Sequence, residues 1–125
     1  MFISAGFEEK AATLIQMFLM IAALSFIASI FLDKMKNKGY CARWGGEEFL
    51  IMFPDTNGDE ANEILFDIQN SIRNFKMKFA DKEVSVTMTF GLTEFNRNMT
   101  VDENIKEADN KLYMGKQKGR DVIIY

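Results

Sequence analysis

The sequence predicts a mixed α/β (α+β) fold, in which helices pack against one mixed sheet. Two short apolar runs, 40–44 and 49–53, flank a Gly-Gly pair, which is the pattern of a β-hairpin. Two later stretches repeat apolar residues at three- and four-residue steps, as amphipathic helices do, and one stretch alternates apolar with polar residues, as a half-buried strand does. Helices therefore alternate with strands around one hairpin, which defines the class.

Composition limits the possible functions. The chain has 125 residues, 48% of them hydrophobic and 26% charged, which suits one globular domain. Its net charge of −3 argues against a nucleic-acid partner. It contains no histidine, so catalysis would have to use carboxylates, lysines, arginines and a bound metal ion. The single cysteine, Cys41, falls in a predicted strand, so we expect it in the core of a cytoplasmic protein.

The stretch 11–32 has no charged side chain. It is long enough for a transmembrane helix, which needs roughly 20 apolar residues, and the lysines within 34–38 would place the rest of the chain in the cytoplasm, attached to the inner membrane. The same stretch has Leu24, Ala28 and Phe31 at helical spacing, as a buried helix of the domain would. The sequence leaves both interpretations open.

The elements after the hairpin follow from local signals. Pro54 ends the second strand, and Thr56 is the predicted N-cap of a helix. A strand over 84–90 is predicted to end at Gly91. The helix that begins after Thr56 is predicted to have an inward face that consists of Ala61, Ile64, Leu65, Ile68, Ile72 and Phe75.

Thr100 and Glu103 have the spacing of a capping box and predict the start of a second helix, which Gly119 ends. A short final strand over 122–125 follows. The predicted inner face of this helix consists of Ile105, Ala108, Leu112 and Tyr113. We divide the chain into an N-terminal segment with a long apolar helix, 1–32, and a domain body, 33–125.

The chemistry of the hairpin comes from Glu47 and Glu48, which directly follow Gly45 and Gly46. The two glycines let a bulky ligand approach the backbone, and adjacent carboxylates suit a hard divalent cation, which often arrives with phosphates. A surface hairpin with a solvated acidic tip is the alternative.

The run Arg-Trp-Gly-Gly-Glu-Glu-Phe at 43–49 resembles the signature loop of the GGDEF family, the diguanylate cyclases. The resemblance covers 24–125 and implies a nucleotide-cyclase-like fold with a ferredoxin-like core. It also implies condensation of two GTP molecules to cyclic di-GMP across a homodimer, with Mg²⁺ or Mn²⁺ as cofactor. In the family, metal ions neutralise the triphosphate and activate a ribose hydroxyl for attack on the partner's GTP.

The resemblance assigns roles to individual hairpin residues. Gly45 and Gly46 would let the hairpin approach the nucleotide. Glu47 would bind metal and lie nearest the attacking hydroxyl, and Glu48 would assist at the metal. Arg43 would support the loop.

A second matching segment, 108–120, resembles the final helix and turn of the family, where Lys116 and Arg120 would hold the triphosphate. Two cations at a helix end suit phosphate oxygens, although they are also ordinary favourable charges at a helix C-terminus.

The sequence departs from the family before the hairpin. The region aligned with the first strand, 3–10, lacks the metal-binding aspartate, so this strand is expected to be lost or altered. The guanine-reading positions fall at or near Ala12 and Ile21, whose side chains cannot hydrogen-bond a base. The family's inhibitory product site is also missing from 36–39.

Two functions follow from these matches and departures. One is a diguanylate cyclase-type domain impaired by the missing residues. The alternative is a catalytically inactive regulatory, dimerising or nucleotide-binding module, with 11–32 as its membrane anchor if that stretch spans a bilayer.

Overall fold

The computed structural model describes residues 1–7, 14–79 and 81–125. Its helices are α1 (Leu14–Lys34), α2 (Gly58–Arg73) and α3 (Val101–Gln117). Its strands are β1 (Phe2–Phe7), β2 (Tyr40–Gly45), β3 (Glu48–Met52), β4 (Lys76–Phe79), β5 (Lys82–Ser85), β6 (Met88–Thr93) and β7 (Ile123–Ile124). The predicted class, a mixed sheet with packed helices, is confirmed.

Five strands form the main sheet in the order β2-β3-β1-β6-β7. Strand β1 lies at its centre, antiparallel to both β3 and β6, and β7 runs parallel to β6. Strands β4 and β5 form a separate two-stranded sheet. The first strand is therefore not lost, although its sequence is altered. Pairing uses backbone N–H and C=O groups, so β1 forms without the family's aspartate.

The helices cover both faces of the main sheet. Ile3 and Ala5 of β1 are fully buried in a core that also includes Ile27 of α1 and Leu65 of α2. Side chains alternate along a strand, so Gly6 faces the opposite side, where α3 packs on β1 and β6. This arrangement leaves one end of α3 beside the hairpin.

Helix α1 packs one face against the core through Ala23, Ile27 and Phe31, which are at most 1% exposed. Its opposite face exposes Phe18 and Leu32 to more than 70%. By length and composition alone, the part Met17–Lys34 could also cross a membrane. The packing shows that α1 supplies part of the domain core.

The predicted N-cap of the first helix after the hairpin is wrong by one residue. Asn57 caps α2: its side chain accepts a hydrogen bond from the Glu60 N–H, and the Glu60 carboxylate accepts one from the Asn57 N–H. The Thr56 hydroxyl instead donates to the Pro54 carbonyl at 3.0 Å. Two adjacent residues could both act as caps, and only the local backbone decides between them.

The strand predicted over 84–90 is in fact divided between two sheets. Strand β5 pairs with β4 in the two-stranded sheet, whereas β6 starts at Met88 and continues past Gly91 between β1 and β7. Alternation of apolar and polar residues continues across the break, which hid it.

Two burial predictions are also wrong. Cys41 is exposed, because β2 is an edge strand whose residues are all exposed. Tyr113 is 63% exposed, since α3 turns Ala108 and Leu112 towards the sheet and the next residue lies about 100° around the helix. The capping box of Thr100 and Glu103 is confirmed.

Candidate functional site

The hairpin turn between β2 and β3 leaves open space in front of its glycines. Gly46 has φ = +51°, a conformation that strains other residues, and the pairing register shifts between Arg43 and Gly45. A Cβ atom added at Gly45 or Gly46 would meet no atom within 4 Å. A ligand can therefore approach the backbone here.

Arg43 supports this turn directly. Its Nε donates a hydrogen bond to the Gly46 carbonyl at 2.9 Å, across the bulge. Glu47 lies in the turn and is half-buried, and Glu48 begins β3. The geometry agrees with the supporting position expected for Arg43, although its role in nucleotide binding stays a prediction.

Lys116 reaches the hairpin from α3. Its Nζ lies 3.1 Å from Glu48 Oε1, although the two residues are 68 positions apart. Helix α3 can approach because β6 carries Gly91, where a Cβ would lie 2.3 Å from the Ala108 carbonyl oxygen. A close helix–sheet contact thus places a cation beside a carboxylate of the hairpin.

These groups surround a pocket of about 540 Å³. The hairpin and Lys116 supply charges of both signs, whereas α1 supplies two half-buried apolar side chains. The lining residues are Met20, Leu24, Arg43, Gly45, Gly46, Glu47, Glu48 and Lys116.

Arg120 is the predicted site residue that this pocket does not include. It lies after the end of α3 with φ = +66°, and its N–H donates to the Gly115 carbonyl at 3.0 Å. The structure therefore places Lys116 against the hairpin, whereas Arg120 lies in the turn after α3 and is not part of the lining of this pocket.

Sequence reasoning missed three residues at this site: Gly6, Met20 and Leu24. Gly6 pairs directly with Glu48 in the register of β1 and β3, and no sequence signal indicates which strands pair. Met20 and Leu24 are four residues apart, so they share a helix face, and that spacing could have indicated them together. Of the predicted guanine-reading positions, Ala12 lies outside the described residues, and Ile21 is 58% exposed.

The described residues do not fit a preformed site for a divalent metal. Within 1–7, 14–79 and 81–125, no group of three or more Asp, Glu, His or Cys side chains could hold a metal ion. The pocket has Glu47 and Glu48, but Glu48 is paired with Lys116 and faces Gly6 rather than a carboxylate. Hard cations need several oxygen ligands.

Comparison with known proteins decides the family. The family described as "Diguanylate cyclase, GGDEF domain" matches residues 22–122. The chain belongs to the GGDEF family. This family makes cyclic di-GMP from GTP and is generally metal-dependent.

Curated relatives of this GGDEF chain are longer proteins. It is 31% identical over 101 residues to diguanylate cyclase A of Treponema denticola, covering 80% of this chain and 27% of the relative. It is 30% identical over 98 residues to diguanylate cyclase DgcP of Pseudomonas aeruginosa, covering 78% of this chain and 15% of the relative. The chain thus spans about a quarter or less of these relatives.

Solved structures have the same fold as this GGDEF chain. The GGDEF domain of DgcB from Caulobacter crescentus, in complex with c-di-GMP, superposes with a TM-score of 0.85 at 19% identity, covering 98% of this chain and 75% of that one. The active GGEEF domain of a diguanylate cyclase from Vibrio cholerae gives 0.81 at 18% identity, covering 98% and 80%. These likenesses cover nearly the whole chain, including β1 and the first part of α1, which precede the family match over 22–122.

Proposed function

We propose that this chain is a GGDEF domain that binds the phosphate groups of GTP at the hairpin pocket but is impaired in condensing GTP to cyclic di-GMP. The observation that carries the proposal is the pocket's divided lining. Among the described residues, the hairpin side of the lining carries the charged groups and the glycine turn, whereas the α1 side carries Met20 and Leu24.

Phosphate binding on the hairpin side of the pocket is supported by Lys116, Arg43 and the open glycine turn. Lys116 lines the pocket, and its ammonium can donate charge-assisted hydrogen bonds to phosphate oxygens, which would compete with Glu48 for it. The turn leaves room for phosphate oxygens to approach the backbone at Gly45 and Gly46. Arg120 lies outside the pocket lining, so the proposal does not depend on it.

The α1 side of the pocket, where the guanine base would lie, is the reason that we expect impaired condensation of GTP. Met20 and Leu24 have no group that can hydrogen-bond the guanine edge, although they can contact the face of a base. A site that reads a base by hydrogen bonds can reject analogues by roughly 10⁴-fold, and an apolar surface discriminates far less. We therefore expect GTP and ATP to bind with similar affinity.

Catalysis in the family also requires two subunits, each presenting one GTP to the other. We extend the homodimer to this chain as part of the proposal, with Glu47 and Glu48 closest to the reacting groups. Each pocket must then both hold phosphate and orient a ribose hydroxyl. Loose positioning of the base at the Met20 and Leu24 side impairs the second task more than the first.

Location follows the family: GGDEF domains are usually cytoplasmic, and we propose the same for this one. Attachment to the inner membrane through 11–32 gains no support from the packing of α1, whose Ala23, Ile27 and Phe31 are buried in the domain core. This packing favours the form of the proposal in which α1 is part of the domain rather than a membrane anchor.

The deciding experiment combines turnover and binding. Purified chain is incubated with GTP and magnesium, cyclic di-GMP is measured by mass spectrometry, and Glu47→Ala serves as the blank. GTP and ATP are titrated separately by calorimetry. We expect product at the level of the blank, with measurable binding of both nucleotides. Product well above the blank would identify an active cyclase, and absence of any binding would refute the proposal.

A further inference from the structure

The end of the Lys116 side chain lies against the backbone of β1. A Cβ atom added at Gly6 would be 2.6 Å from Lys116 Cε and 2.8 Å from its Nζ. These distances are shorter than real Cβ contacts, so the lysine occupies the space that any other residue at position 6 would need. The absence of a side chain on β1 thus makes room for the cation.

The position of this cation matters because Gly6 is the register partner of Glu48. Lys116 Nζ lies 3.1 Å from Glu48 Oε1, and the two side chains are 25% and 43% exposed. An ammonium group and a metal ion compete for the same carboxylate oxygens. A divalent ion that enters beside Glu48 must therefore displace an ammonium that is already paired.

We propose that Lys116 occupies the cation position beside Glu48 and thereby excludes divalent metal ions from the unliganded pocket. The inference rests on the proposed function only in assigning this pocket as the ligand site, and its test uses no nucleotide. It agrees with the finding that no group of three or more Asp, Glu, His or Cys side chains among the described residues could hold a metal ion. The Lys116 ammonium neutralises the negative charge of Glu48, as a bound metal ion would.

The test is a titration with Mn²⁺, in which electron paramagnetic resonance measures the free ion. We expect weak binding by the unaltered chain and about five- to tenfold tighter binding by Lys116→Met, because a partly exposed ion pair contributes roughly 1 kcal/mol. Adding Glu48→Gln to Lys116→Met is expected to abolish the gain, which places the ion at Glu48. Circular dichroism checks that each variant is folded.

Gly6→Ala gives an independent test that leaves every charge in place. The added methyl group pushes aside the flexible end of Lys116, so Mn²⁺ binding is expected to tighten in the same direction. Lys118→Met is the matched control, since it removes one exposed cation near the same end of α3 without touching Glu48. Its effect is expected to stay within about twofold because salt screens exposed charges.

Two results would overturn the inference. One is an unchanged Mn²⁺ affinity in folded Lys116→Met, and the other is an equal gain in Lys118→Met, which would indicate a general charge effect. The proposed function fails separately, through lack of nucleotide binding by the unaltered chain. A gain in Mn²⁺ affinity without any GTP binding would support this inference and refute that proposal.

Discussion

The N-terminal elements and the hairpin with α3 contribute different kinds of residue to the site region of the same fold. Strand β1 and helix α1 keep their places in the sheet and core, yet they supply Gly6, Met20 and Leu24 to the site region. The hairpin and α3 supply charged groups to it. Sheet pairing and burial accept many residues, whereas chemistry requires particular atoms. The position of an element in the fold therefore does not determine which functional groups it carries.

The largest expected effect tests whether α1 is a structural necessity. Phe31 is 1% exposed, and its ring lies 5.5 Å from that of Phe49 and 6.5 Å from that of Phe90. Phe31→Ala is expected to lower the free energy of unfolding by about 3–5 kcal/mol, measured by urea denaturation. Phe18 of the same helix is 72% exposed, so Phe18→Ala is the control. It should change the free energy of unfolding by at most about 0.5 kcal/mol. Equal effects would argue against the packing of α1 on the core.

The second prediction concerns the close contact that brings α3 to the site. Gly91→Ala would place a Cβ 2.3 Å from the Ala108 carbonyl and 2.4 Å from the Leu112 nitrogen, and backbone atoms cannot move aside cheaply. We expect a loss of about 1–3 kcal/mol in the free energy of unfolding. Gly45→Ala meets no atom within 4 Å and should be nearly neutral. A neutral Gly91→Ala would mean that α3 sits farther from β6.

The third prediction tests the charged side of the pocket, which the hairpin and Lys116 of α3 form. Lys116→Met is expected to weaken GTP binding about tenfold, because a charge-assisted contact contributes roughly 1.5 kcal/mol or more. Calorimetric titration gives the affinity, and Lys118→Met is again the control for net charge. Similar losses in both variants would assign the attraction to the general field of the helix end rather than to the pocket.

The smallest expected effect distinguishes Asn57, the observed N-cap of α2, from Thr56, the cap that the sequence predicted. Asn57→Ala removes the side chain that accepts from the Glu60 N–H and should cost about 1 kcal/mol of stability. Thr56→Ala removes only the hydrogen bond to the Pro54 carbonyl and should cost less. Thermal unfolding of the two variants compares them. A larger cost for Thr56→Ala would restore the cap that the sequence suggested.

Short-range signals predicted most of the elements around the hairpin. The Gly-Gly turn, the two amphipathic helices and the capping box of Thr100 and Glu103 were all recognisable, because their determinants lie within a few residues of each other. The signature at 43–49 also indicated the family that the comparison confirmed. The predicted boundaries were wrong where one apolar–polar alternation ran through two elements, as it does through β5 and β6.

Tertiary structure alone decided the central place of β1 and the exposure of Cys41. It also decided the pairing of Glu48 with Gly6 and the approach of Lys116 from a helix 68 residues away. Sheet order and helix packing set these contacts, and neither is encoded in the spacing of neighbouring residues. The sequence by itself determined which charged groups the hairpin and α3 carry. The fold determined which of them meet, because only a packed sheet brings distant residues within hydrogen-bond distance.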